Sequence, residues 1–107
     1  MINKKILGLI GLSAKARKIL FGSDSVENGI KKKIVKLVIV AEDSSNRTKD
    51  KFNKICYENN IPIIVFETIE SLSKSIGKSN KAVIAINDEN LSKEIMRIKN
   101  NGGEVIG

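Results

Sequence analysis

Apolar and polar positions follow more than one rhythm along this chain, and each change of rhythm marks an element. Over residues 1–16, Ile2, Ile6, Leu7, Leu9, Ile10 and Leu12 fill a wide arc of a helical wheel, while Lys4, Gly8, Gly11, Lys15 and Lys18 share the other face. That spacing predicts an amphipathic helix. Ile19 to Phe21 reads as a short extended segment. Gly22 then introduces a helix start at which Asp24 and Glu27 have the spacing of a capping box. The helix runs into Lys31, Lys32 and Lys33, and Val35 to Ala41 follows, apolar except for Lys36. A short β-branched run with so little alternation predicts a central strand covered on both faces.

The second half repeats the scheme. Asp43 to Asn46 offers N-cap candidates for a helix reaching Asn59, with Phe52, Ile55 and Cys56 on its inner face. Ile61 to Phe66 is the next strand, with Pro62 at its beginning, where a missing N–H is tolerated. Thr68 to Ile76 reads as a short helix ended by Gly77, Lys78 to Lys81 as a basic loop, and Ala82 to Ile86 as a strand. Asn87 or Asp88 caps a last helix through about Lys99, carrying Leu91, Ile95, Met96 and Ile98, before Gly102-Gly103 turns the chain into Glu104-Val105-Ile106, an edge strand or a loose tail. Strands and helices alternating with short connections predict an α/β fold, a three-layer α/β/α sandwich around a mixed sheet of four or five strands.

With 107 residues, of which 41% are hydrophobic, the chain is expected to form one domain with a single core. Its formal charge is +7, unevenly spread. Residues 1–57 hold 13 Lys/Arg against 5 Asp/Glu, whereas residues 58–107 hold 6 against 7. A one-sided basic excess suits a polyanionic partner, because neutralised phosphates release counterions. The first sixteen residues also imitate a secretory signal, with Lys4 and Lys5 ahead of a seven-residue apolar run and Ala14-Lys15-Ala16. A retained amphipathic helix explains the same residues, and the run is too short to span a membrane. A cytoplasmic protein is expected.

Catalytic and metal chemistry find little purchase. Histidine is absent and Cys56 is the only cysteine, which excludes an internal disulfide, a Cys/His zinc site and any imidazole-activated nucleophile. Cys56 reads as a small core residue. Gly8-Leu9-Ile10-Gly11 lies within a helix pattern and lacks the third glycine of a dinucleotide site, so close helix packing is the expectation. Gly77-Lys78-Ser79 lacks the upstream glycine of a Walker loop. Glu42-Asp43 ends a buried strand, but the acidic and lysine partners of a receiver-type site are missing at the ends of the other strands, leaving a capping or loop-ordering role. No cofactor, metal or catalytic residue is expected.

What remains is the turn at Gly22. Glycine permits positive φ or a close ligand approach, and Ser23, Asp24 and Ser25 present N–H groups and short polar side chains at a helix start. Arg17, Lys18, Lys32, Lys33 and Lys36 would supply charge for phosphates docking there. Four aromatic residues, Phe21, Phe52, Tyr57 and Phe66, mostly at core-like positions, are too few for recognition by base stacking. Folded RNA read through shape, phosphates and a few polar contacts suits the composition better.

Several segments in order, Leu9-Ile10-Gly11-Leu12, Ala16-Arg17-Lys18, Gly22, Lys36 to Asp43, Asn46-Arg47-Thr48-Lys49, Ile61-Pro62, Ser75-Ile76-Gly77-Lys78 and Val83 to Ile86, give the chain its likeness to a known group. It resembles the kink-turn-binding ribosomal protein superfamily (L-seven-Ae and L-thirty-e type), in particular its small bacterial YlxQ-like branch, over nearly the whole length. The resemblance implies an α/β/α sandwich that binds RNA kink-turns without catalysis. It assigns a first site to Gly22, Ser23, Asp24, Ser25 and Asn28 with Lys36 as a phosphate contact. A second is assigned to the segment Ile76, Gly77, Lys78, Ser79, Asn80 and Lys81. The family's turn reads Gly-x-Asn-Glu-x-x-Lys, and here only the glycine matches outright: Asp24 replaces the amide, Ser25 is shorter than Glu, and Asn28 lacks the charge. The expected partner is structured, kink-turn-like RNA, with an adaptor that keeps the fold but binds protein as the alternative.

Overall fold

The computed structural model describes residues 2–104, and the side chains of residues 2–101. Nine elements follow one another: α1 (Ile2–Lys15), β1 (Ile19–Phe21), α2 (Ser23–Lys31), β2 (Leu37–Val40), α3 (Asn46–Glu58), β3 (Ile63–Val65), α4 (Ile69–Ser75), β4 (Val83–Ile86) and α5 (Glu89–Glu104). The four strands form one mixed sheet in the order β1-β4-β2-β3, with β2 and β3 parallel and β4 antiparallel to both its neighbours.

Alternation along the central strands sorts the core into two layers. Leu37 and Ile39 of β2, with Ile84 and Ile86 of β4, face α1, α4 and α5, where Ile6, Ile10, Leu72 and Ile95 are buried. Val38, Val40, Val83 and Ala85 face the other way, onto Val26 and Ile30 of α2 and Phe52 and Cys56 of α3. Strands covered twice have no polar face, which is why β2 and β4 read as unbroken apolar runs. Each fully buried isoleucine or leucine contributes roughly 1.5–3 kcal/mol over exposure.

Helix ends are settled by local chemistry. Ser45 Oγ accepts from the Thr48 N–H at 3.1 Å to start α3, Thr68 Oγ1 accepts from the Ser71 N–H at 3.1 Å to start α4, and Asp88 Oδ2 accepts from the Leu91 N–H at 2.9 Å to start α5. Asp43 Oδ1 adds a bond from the Ile69 N–H at 2.8 Å, so this acid helps order the start of α4. Four helices end in Schellman-type pairs of backbone bonds: for α2, Ile34 N–H to Gly29 O and Lys33 N–H to Ile30 O; for α3, Ile61 N–H to Cys56 O and Asn60 N–H to Tyr57 O. The left-handed residues of these motifs are Arg17, Lys33, Asn60 and Gly77, so only one of the four is glycine.

Several expectations are corrected. The Asp24–Glu27 capping box does not form, because Gly22 is the N-cap of α2 and Asp24 already lies in the first turn. Gly102-Gly103 does not turn the chain, since α5 continues to Glu104; the rest of the expected edge strand, residues 105–106, lies outside the described residues. Gly11 does allow close packing, as a Cβ there would stand 3.1 Å from the Ser75 carbonyl oxygen of α4, but one at Gly8 would meet nothing within 4 Å. The apolar arc of α1 is narrower than its wheel suggested: Leu12 is exposed while Ser13 is buried, its Oγ donating to the Leu9 carbonyl at 2.8 Å. Tyr57 is 86% exposed, not a core residue.

Strand direction decides where the loops gather. Because β1 and β2 both run against β4, they run parallel to each other, and β3 runs with them. Gly22, Ala41 to Asp43 and Phe66 to Thr68 therefore lie at one end of the sheet, together with the loop entering β4. Lys18, Lys36, Pro62 and Asn87 lie at the other.

Candidate nucleic-acid interface

At the end of β1, Gly22 has φ 87° and ψ 149°, in a region open essentially to glycine alone. Its N–H donates to the Val83 carbonyl at 2.9 Å, tying the turn to the start of β4, and its carbonyl accepts from the Val26 N–H at 3.0 Å. No side chain among the described residues caps α2. The N–H groups of Ser23, Asp24 and Ser25 thus have no partner among the described residues, and they stand at the positive end of the helix dipole. A Cβ built on Gly22 would meet nothing within 4 Å, so this backbone is open to an approaching ligand.

Residues 76–82 pack beside that turn. Ile76 is the C-cap of α4, Gly77 takes φ 71°, and Asn80 takes φ 58°. The loop is held by Ser73, buried in α4, whose Oγ accepts from the Lys81 N–H at 2.7 Å and donates to the Lys81 carbonyl at 3.3 Å. One hydroxyl thereby satisfies both backbone groups of Lys81. The Nζ atoms of Lys78 and Lys81 lie 5.1 and 5.3 Å from the centroid of the Phe21 ring, within cation–π range. Phe21 so fixes two ammonium groups next to the glycine turn. Neither forms an ion pair among the described residues.

Two shallow hollows flank the edge strand β1. One, of about 270 Å³, is bordered by Arg17, Ile19, Phe21, Ile76 and Lys78; the other, of about 220 Å³, by Leu20, Ser25, Asn28, Lys32 and Ile34. Arg17, Asn28, Lys32 and Lys78 are thereby brought to the flanks of one edge strand. A third hollow of about 650 Å³ lies beyond the loop, where Ser79 and Asn80 face Asp43, Glu70 and Lys74. Ser79 and Asn80 form the outer rim of the loop.

The basic residues expected at the turn are not all found there. Eight residues of α2, 23–30, separate Gly22 from Lys31, where the lysine run begins about 13 Å away at 1.5 Å per residue. Lys36 donates its N–H to the Ile86 carbonyl and Lys18 accepts at its carbonyl from Asn87 N–H, so Lys18, Lys33 and Lys36 belong to the far end of the sheet. Lys32 lies between, along β1. The turn's own end carries Glu42, Asp43, Glu67 and Glu70 on the β2–β3 side, which confines the positive charge to the β1–β4 side.

Two contributors were not read from the sequence: Ser73 as the loop's anchor and Phe21 as the seat of two lysines. A serine four residues after Ile69 and three before Ile76, in the apolar phase of a short helix, is the local signal that could have found the first. The second depends on pairing β1 with β4, which no local pattern carries.

The chain matches the model of the Ribosomal protein L7Ae/L30e/S12e/Gadd45 family over residues 4–96. It is 32% identical over 90 residues to the RNA-binding protein YlxQ of Bacillus subtilis, covering 84% of this chain and 90% of that one. With the RNA-binding protein YlxQ of Enterococcus faecium it shares 30% identity over 91 residues, 85% of this chain and 87% of that one. A Bacillus halodurans protein of unknown function superposes with a TM-score of 0.85 at 33% identity, covering 88% of this chain and 95% of the other. The Giardia lamblia 15.5kD RNA binding protein gives a TM-score of 0.76 at 19% identity, covering 88% and 83%, a likeness of fold.

Proposed function

The chain belongs to the Ribosomal protein L7Ae/L30e/S12e/Gadd45 family, and from that premise we propose that it is a non-enzymatic protein that binds structured RNA of the kink-turn type. One observation carries the reading: the uncapped start of α2 after a positive-φ glycine stands beside a cationic loop anchored by a buried hydroxyl. The two YlxQ proteins it resembles are RNA-binding by name.

In this mechanism the free N–H groups of Ser23 to Ser25 donate to phosphate oxygens or base edges. Asp24 accepts from a guanine or cytosine amino group, and Asn28 offers both a donor and an acceptor. Lys78 and Lys81 attract the bulged strand, with Arg17 and Lys32 along its path. Chemistry at the bases is absent, so the protein acts by population shift: it binds the bent RNA more tightly than the straight form and stabilises it by that difference. Association with ribosomal RNA in the cytoplasm would fit this role; Ile6 and Ile10 tie α1 into the core, and no helix among the described residues is long and apolar enough to cross a membrane.

The test is binding to a kink-turn RNA and to a control of equal length whose sheared G·A pairs are replaced by Watson–Crick pairs, across a salt series. A preference for the kink-turn that persists at physiological salt is expected. Equal and steeply salt-sensitive binding to both would remove kink-turn recognition from the proposal. The replacements at Asp24, Ser25 and Asn28 also fit an adaptor that has kept the fold for a protein partner; that reading requires capture of a defined partner together with loss of RNA affinity.

A further inference from the structure

At the end of the sheet opposite Gly22, the loop after α2 and the loop after α3 enclose a hollow of about 410 Å³. Ile30 and Val35 lie buried beneath it, so its apolar surface comes from Ile61 and Pro62, and its rim carries Lys33, Lys36, Asn59 and Asn60. Lys33 and Lys36 are exposed and form no ion pair among the described residues. Glu89, which shares a neighbouring hollow with Lys36, is bonded to Lys93 at 3.0 Å. Asn59 donates its Nδ2 to the Ile55 carbonyl at 2.8 Å, which leaves its Oδ1 as an acceptor, and Asn60 adds a second, exposed amide. The hollow thus combines two exposed lysines without an ion pair among the described residues, of which Lys36 also acts by its charge on Glu89, amide groups that can pair with a base edge, and an apolar ledge of Ile61 and Pro62 on which a base can lie.

We propose that this hollow is a second RNA-binding site, which takes an unstacked nucleotide of a single-stranded segment, its phosphates between Lys33 and Lys36 and its base over Ile61 and Pro62. The proposal rests on the RNA-binding reading but not on kink-turn recognition. A protein with RNA sites at both ends of its sheet bridges a folded motif and a flanking single strand. Lys33 and Asn60 both take the left-handed conformation, φ 62° and 56°, at helix ends where glycine is the commonest residue. Here the chain keeps a charge and an amide instead.

That conformation supplies a clean test, because Lys33→Gly and Asn60→Gly remove the functional groups while suiting the backbone. Amide NMR shifts are followed in the full chain during titration with a short single-stranded oligouridylate, with uridine monophosphate, and with a trimmed kink-turn RNA. The oligouridylate is expected to shift Lys33, Lys36, Asn60 and Ile61 first, and to bind at the same time as the kink-turn RNA, which shifts Gly22 to Ser25. The double variant Lys33→Gly with Lys36→Gln is expected to keep or raise its melting temperature, to bind the oligouridylate about tenfold or more weakly, and to lose about 1.4 from the salt slope, at 0.7 per phosphate contact. Asn60→Gly should weaken binding without changing the slope. Shifts confined to Gly22–Ser25 and residues 78–81, or an unchanged slope in the double variant, would overturn the site. Uridine monophosphate binding as tightly as the strand would overturn the strand contact in favour of a free nucleotide. Failure of kink-turn preference with these shifts intact would refute the first site and leave this one standing.

Discussion

Replacing Gly22 with valine tests whether the turn serves binding or folding. At φ 87° and ψ 149° a side-chain-bearing residue costs about 1–3 kcal/mol, and β-branching places valine at the upper end. No clash adds to this, since a Cβ there meets nothing within 4 Å. A domain stable by about 5–15 kcal/mol stays folded after such a loss. The melting temperature should fall by roughly 5 °C per kcal/mol, about 5–15 °C in all. The valine also stands where RNA backbone would approach the free N–H groups of Ser23 to Ser25, so affinity for kink-turn RNA should drop by more than the loss of stability explains. Calorimetry and RNA titration on the same preparation measure both. A lowered melting temperature with unchanged RNA affinity would detach this turn from the interface, and an unchanged melting temperature would show that the strained geometry is not held in solution.

Ser73→Ala removes the group that satisfies both backbone atoms of Lys81, and leaving them unpaired should cost about 1–3 kcal/mol; urea unfolding gives the loss, and faster hydrogen exchange at residues 78–81 should accompany it. The Cys56 thiol is buried and its pKa is pushed up to about 11 by desolvation, so at pH 8 the native protein should react with a thiol reagent only as fast as it unfolds; rapid labelling would mean that the α3 face opens. Glu27, bonded to Lys51 at 2.9 Å, has its carboxyl held below the usual 4.5, first by that hydrogen bond and then by the lysine's charge. A depressed carboxylate stabilises the fold above its unfolded value, so the advantage of wild type over Glu27→Gln in urea should shrink as pH falls below about 4.5; a gap that persists to lower pH would assign the effect to packing.

Much of the fold was legible in the chain because it is written in local terms. The unbroken run around Val38 to Val40 announced a strand covered twice, Thr68 and Ser45 sat where caps belong, and Asn59-Asn60 stopped α3 as their backbone preferences require. Local pattern also singled out the glycine turn. It erred where the short-range signal was ambiguous: Gly102-Gly103 suggested a turn, yet α5 runs through both, and Asp24 with Glu27 matched a capping box two residues too far along the chain.

The grouping of the basic residues belongs to another level. Eight helical residues separate Gly22 from the lysine run, and periodicity specifies which face of an element is buried without specifying which end of the sheet it reaches. That depends on strand order and direction. With β4 inserted between β1 and β2 and running against both, the loop of Lys78 and Lys81 arrives beside the glycine turn, while Lys33 and Lys36 are carried to the opposite end. Sequence by itself determined the elements, their buried faces and the chemistry available to them. Only the tertiary structure decided which of those groups stand together, because that choice rests on pairings between strands distant in the chain, for which local propensity carries no information.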